Sequence, residues 1–115
     1  MSESRAALIY TITSDADNAR SIAGTLLDER LIACANIVGE IESVFVWEGA
    51  RQSSRECAVL FKTTTDALEA AVARLGELHP YDTPAIVANA CSHAHASTLE
   101  WLALERVFRF GPSAP

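Results

Sequence analysis

His79-Pro80-Tyr81-Asp82-Thr83-Pro84 separates a helical pattern from an apolar strand pattern, and its two prolines fix how the chain passes between them. Proline locks its own φ and pushes the preceding residue out of the helical region. Pro80 therefore ends a helix near Leu78 and holds His79 extended, and Pro84 sets the entry to the next strand. A plain connecting loop does not need that stiffness. The corner presents His79 and Tyr81 in fixed directions, so it is the first place to look for a site or an interface.

Before the corner, Leu68, Ala71, Val72 and Leu75 mark one face of a helix capped by Thr64 or Thr65, with Asp66 in its first turn. After it, residues 85–91 are almost continuously apolar, which predicts a strand buried on both faces, or on one face plus a partner. Residues 6–13 are apolar and β-branched and read as the first strand. Ser14 or Asp15 caps a helix over about 15–31, where Ala19, Ile22, Ala23, Leu26, Leu27 and Leu31 recur at spacings of three and four. Residues 33–47 and 55–63 are extended and joined by the polar, turn-like segment 48–54, which makes a hairpin. Gly39 interrupts the first of these strands and marks a bulge or bend. Ser97-Thr98-Leu99-Glu100 matches a capping box, which opens a third helix to about Phe108.

The order β-α-β-β-α-β plus a helix is the split βαβ arrangement. The expected fold is α+β: a ferredoxin-like β-α-β-β-α-β sandwich with an extra C-terminal helix, one domain over 1–115, with flexible ends at 1–5 and 111–115. Right-handed crossovers place the two main helices on one face of a four-stranded antiparallel sheet. The other face carries apolar side chains and lacks a cover, which predicts burial against further copies of the chain.

Charge narrows the partners. Fifteen acidic residues against nine basic ones give a net charge of -6, the wrong sign for nucleic acid or an anionic membrane surface. No apolar run approaches the roughly 20 residues of a membrane span. The N-terminal Met1-Ser2-Glu3-Ser4-Arg5 lacks the layout of a secretion signal, so a cytoplasmic location is expected. Cys34, Cys57 and Cys91 form no CxxC or zinc-type pattern and read as small apolar side chains in a reducing compartment.

Four spaced motifs carry a family resemblance. Leu31-Ile32-Ala33-Cys34-Ala35-Asn36-Ile37, Val46-Trp47-Glu48-Gly49, Phe61-Lys62-Thr63-Thr64 and the proline corner stand in the order and spacing of the CutA divalent-cation tolerance family, and Trp101-Leu102 fits as well. The resemblance spans roughly residues 7–103. It implies a tight homotrimer similar in architecture to PII signalling proteins, a part in tolerance to copper and other divalent metals, and no enzymatic activity. In the metal-binding view of that family, Cys34 and His79 are ligands, and the third ligand position holds Thr11 here. A thiolate and an imidazole suit copper or zinc, whereas a threonine hydroxyl is a poor ligand for either. The competing reading packs Cys34 in the core and uses His79 for a hydrogen bond across an interface.

Further candidates come from the residues themselves. Trp47 is too apolar for a solvated hairpin tip and is expected to dock on a neighbouring subunit. Glu56 and Lys62 share a face of the third strand and, with Tyr81, could line a polar cleft between subunits. Such a cleft would suit a PII-like small-molecule sensor, the alternative to metal response. His93-Ala94-His95 is a weak two-imidazole motif or simply a surface loop. No nucleophile, base and orienting group stand together as an enzyme requires. Ser14-Asp15-Ala16-Asp17 is acidic where an acylphosphatase needs a phosphate cradle, and the third strand lacks the basic and aromatic residues of an RNA-recognition module.

Overall fold

The computed structural model describes residues 4–106. Its elements are β1 (Ala6–Thr13), α1 (Ala16–Asp28), β2 (Cys34–Trp47), β3 (Ala50–Thr64), α2 (Thr65–Leu78), β4 (Ile86–Ala90) and α3 (Ala96–Arg106). The strands form one antiparallel sheet in the order β2-β3-β1-β4. This is the expected ferredoxin-like sandwich with its additional helix. The expected ends at 111–115 and at residues 1–3, and the last residues of the third helix, lie outside the described residues.

Register sorts the side chains by face. Ile9 pairs with Phe61, Thr11 with Val59 and Thr13 with Cys57, and all six are buried. They meet Ala19, Ile22, Ala23 and Leu26 of α1 and Ala71 and Leu75 of α2 to make the core. The buried threonines are hydrogen-bonded: Thr11 Oγ1 donates to the Ala85 carbonyl at 2.9 Å, and Thr63 Oγ1 to that of Leu31 at 2.8 Å. Burying a hydroxyl without such a partner would cost about 1–3 kcal/mol.

The helix ends follow local chemistry. Asp15 caps α1 by accepting from the Asn18 amide at 2.8 Å. Helix α1 stops three residues earlier than its apolar period suggests, because Arg30 adopts φ 62°. The Arg30 amide donates to Leu27 and the Leu31 amide to Leu26, a Schellman closure built on a residue other than glycine. Helix α2 ends as Pro80 requires, with His79 extended at φ -70°, ψ 137°. Arg74 of α2 grips the Glu29 carboxylate with two bonds of 2.9 Å, tying the two helices together at the surface.

The hairpin departs from expectation. Its turn is only Glu48-Gly49, both at positive φ (51° and 82°), and β3 begins at Ala50 instead of Arg55. Two consecutive positive φ values give the primed turn that matches strand twist, so the polar segment 50–54 stays paired instead of looping. A bulge at Ile37/Gly39, with Gly39 at φ 119°, confirms the expected irregularity. Beyond Thr13 the strand β1 no longer backs the hairpin. Seven residue pairs, from Ile41/Glu56 to Trp47/Ala50, therefore project as a two-stranded arm of about 20 Å.

The opposite sheet face is not bare. Helix α3 packs on β3 and β1, where Leu102 and Ala58 are buried outside the main core. Its start also differs from the expected capping box. Helix α3 begins at Ala96, and the His95 imidazole Nδ1 accepts from the Ser97 amide at 3.2 Å, so His95 performs the capping. Strand β4 is half-exposed to exposed throughout, so the burial expected for 85–91 is not supplied within one chain.

Candidate functional site

The corner after α2 packs on the root of the arm. His79 is 7% exposed. Its Nε2 lies 2.9 Å from the Ile12 carbonyl oxygen, and its Nδ1 accepts from the Tyr81 amide at 3.2 Å. A carbonyl can only accept, so Nε2 carries the proton and the ring is neutral in this arrangement. The Tyr81 ring lies 4.9 Å from the imidazole, tilted by 57°.

The Tyr81 hydroxyl donates to Glu56 Oε2 at 2.7 Å. Burial, then the bond to Glu56 and the charges of Glu56 and Asp15, push the phenol up to about 12. A cavity of about 250 Å³ opens beside Glu56, lined by Ser14, Asp15, Ala16, Glu40, Arg55 and Cys57 as well. Arg55 pairs with Glu40 at 3.3 Å across the strands. Three carboxylates against one guanidinium make this a poor seat for phosphate.

Of the four expected cleft residues, the structure joins two, Glu56 and Tyr81. Lys62 shares the face of Glu56 but stands six residues along β3, about 20 Å away. Trp47 is at the far end of the arm, 48% exposed. Within one chain these four do not line a single cleft.

The expected metal donors also separate. Cys34 pairs with Lys62 on the face away from α1 and α2, and its thiol lies 3.8 Å from Asn36 Oδ1. Thr11 points into the core on the opposite face and is bonded to Ala85. His79 sits by the end of β1 with both ring nitrogens engaged by backbone. The register places Cys34 level with Leu8, four residues along β1 from Ile12. Among the described residues no three His, Cys, Asp or Glu side chains group as a metal-ligand set.

The sequence reading missed the Glu40–Arg55 pair and the part played by Asp15 beside Tyr81. The only signal for them was that they flank the turn and the strand end that the corner touches. It also missed how much apolar surface the arm shows. Phe45 is 38%, Val44 64% and Val46 71% exposed, with Phe45 and Trp47 on one face and Val44 and Val46 on the other.

A ferredoxin-like domain with a long hairpin arm, which exposes Phe45 and Trp47 on one face and Val44 and Val46 on the other and is braced at its root by a proline corner, defines the class of protein. The sequence model of the family described as "CutA1 divalent ion tolerance protein" matches residues 7–105, and the chain belongs to that family. It is 39% identical over 95 residues to the divalent-cation tolerance protein CutA of Pyrococcus horikoshii, covering 83% of this chain and 92% of that one. The crystal structure of the divalent ion tolerance protein CutA1 from Ehrlichia chaffeensis superposes with a TM-score of 0.87 at 37% identity, covering 93% of this chain and all of that one. The periplasmic divalent cation tolerance protein CutA from Archaeoglobus fulgidus gives 0.84 at 29% identity, covering 89% and 99%.

Proposed function

We propose that this chain acts in tolerance to divalent metal ions as a closed trimer, without catalysing a reaction. One observation carries the reading: the arm. An isolated two-stranded hairpin is marginal in water even when its surface is polar. This one exposes Val44, Phe45, Val46 and Trp47. Wrapping each arm around a neighbouring copy buries both of its faces, and the open β4 edge and the exposed Tyr10 and Val87 lie on the surface such copies would cover. Three copies are the closed assembly that the family resemblance supports.

Direct binding of copper is the finer part of the proposal. Ligation by His79 has to displace the Ile12 carbonyl or the Tyr81 amide, which places Cys34 ahead of His79 as a donor. Cys34 lies on the face that a second copy would approach. The PII-like alternative needs a ligand cleft between subunits, and the acidic wall around Glu56 disfavours the phosphate-bearing ligands that such sensors take.

A cytoplasmic setting is proposed from three cysteines that are all free. The Archaeoglobus relative is called periplasmic, so location varies within the family. Among the described residues no helix is long and apolar enough to cross a membrane.

The test is growth of a host lacking its own CutA-type protein, in medium supplemented with copper or zinc, with and without this chain. Restored growth is the expected result, and unchanged sensitivity to both metals would overturn the reading. Titration calorimetry with Cu(II) on the wild type and on Cys34→Ser tests the finer part. Equal affinity in both proteins would remove Cys34.

A further inference from the structure

Eight of the chain's nine basic residues are arginine, and Lys62 is its only lysine. Lys62 stands on the sheet face turned away from α1 and α2, between Cys34 of β2 and Leu8 of β1. Helix α3 covers part of that face but leaves Tyr10 and Val87 exposed, and these two pair directly across β1 and β4. Within the four-stranded part of the sheet, Lys62 is the only charged side chain on this face. It is half-buried, and among the described residues its ammonium has no ion pair or hydrogen bond. Covering a bare ammonium is unfavourable, so whatever covers this face has to bring an anion.

The arm carries one. Its carboxylates are Glu42, Glu48 and Glu56. Glu56 accepts from Tyr81, and Glu42 stands opposite Arg55. Glu48, at the tip beside Trp47, has no ion pair or hydrogen bond from its side chain among the described residues. It also holds φ 51°, in a turn that favours asparagine, aspartate or glycine at that position. No side-chain contact within the described chain offsets this strain, and an outlier of that kind points to a role outside the chain.

We propose that Lys62 and the Tyr10–Val87 pair seat the arm tip of a neighbouring copy, with Trp47 against Tyr10 and Val87 and the Glu48 carboxylate on the Lys62 ammonium. The inference rests on the proposed trimer and names the contact that sets its register. Lys62 lies one strand over and two residues along from Tyr10, about 8 Å away on the same face. An indole on Tyr10 therefore brings the carboxylate of the next residue within reach of Lys62. The arm face that carries Trp47 also carries Phe45, and the sheet face offers Leu8 beside Tyr10 and Val87, so apolar area meets apolar area around one pair of opposite charges. Within one chain Lys62 and Glu48 are separated by about 40 Å of β3, so any contact between them is a contact between chains.

The full-length wild type is treated at micromolar concentration with a water-soluble carbodiimide, which joins a carboxylate and an amine in contact as an amide. Cross-linked chains are separated by mass and located by peptide mapping. The expected product is a chain-to-chain amide from Lys62 to Glu48. Lys62→Arg keeps the charge and the trimer but forms no such amide. Lys62→Glu and Glu48→Lys, each alone, raise the concentration at which the trimer half-dissociates by at least about tenfold, and the double reversal restores most of the loss. Glu48→Asn suits the turn, so weaker association in that variant comes from the missing carboxylate and not from a misfolded arm. A trimer by light scattering in which Lys62 joins another carboxylate or none, or in which the two reversals add without recovery, overturns the seat alone. A wild type of one chain mass overturns the seat together with the trimer.

Discussion

The Tyr81 hydroxyl lies 2.7 Å from the Glu56 carboxylate and so fastens the proline corner to the strand that becomes the arm. Glu56 is the first residue of β3 beyond the reach of β1, and Tyr81 is held from behind by the His79 ring. The bond stands where a three-layered body gives way to a bare ribbon, so it limits how far the arm can hinge.

Ionising Tyr81 would set a negative phenolate against Glu56. The folded phenol is raised from 10.0 to about 12, so its contribution is complete below pH 10 and is lost as pH climbs from 10 to 12. In Tyr81→Phe that part of the alkaline loss is missing. Urea midpoints measured between pH 8 and 12 check this: the wild type falls more steeply than the variant over the upper two units. Parallel curves would remove the bond from the account.

His79→Ala leaves the Ile12 carbonyl and the Tyr81 amide without their partner. The expected cost is about 1–3 kcal/mol, read as a lower urea midpoint at unchanged slope. His79→Gln, which offers both a donor and an acceptor, recovers part of it.

Two positions carry positive φ on side chains that dislike it, Arg30 at 62° and Glu48 at 51°. Arg30→Gly relieves the Schellman closure, and Glu48→Asn gives the Asn-Gly pair that primed turns favour. Each is expected to stabilise by about 0.5–1 kcal/mol. Thermal melts of the single variants and of the double variant check both the sign and the additivity.

Leu102 anchors α3 to the sheet and is 2% exposed. Leu102→Ala is expected to cost about 2–3 kcal/mol, toward the low end for a buried leucine because the site lies outside the main core. Hydrogen exchange should show α3 losing protection before α1 and α2 do. Uniform loss would mean that α3 is part of the same cooperative unit.

Most of the fold was legible because its elements repeat with clear periods. Ala19, Ile22, Ala23 and Leu26 could only be one helix face, and Pro80 could only end α2. What was not legible depended on φ or on pairing. Nothing about Glu48 announces a left-handed residue, so in the sequence the polar run 48–54 looks like one long turn although only Glu48-Gly49 turns. His95 caps α3 with a ring nitrogen, a function that the Ser97-x-x-Glu100 pattern masks. The candidate site was half legible. Glu56 and Tyr81 meet, as their shared polarity and the stiff corner suggested. Cys34 and His79 do not meet in one chain, because strand parity turns Cys34 to the face opposite Thr11 and the register sets it four residues from Ile12 along β1.

The association of copies through the arm is tested most directly by light scattering on a sizing column at micromolar concentration. The account predicts three times the 12.4 kDa chain mass for the wild type, and a single chain mass for Phe45→Lys with Trp47→Glu. A wild type that elutes as one chain would contradict it.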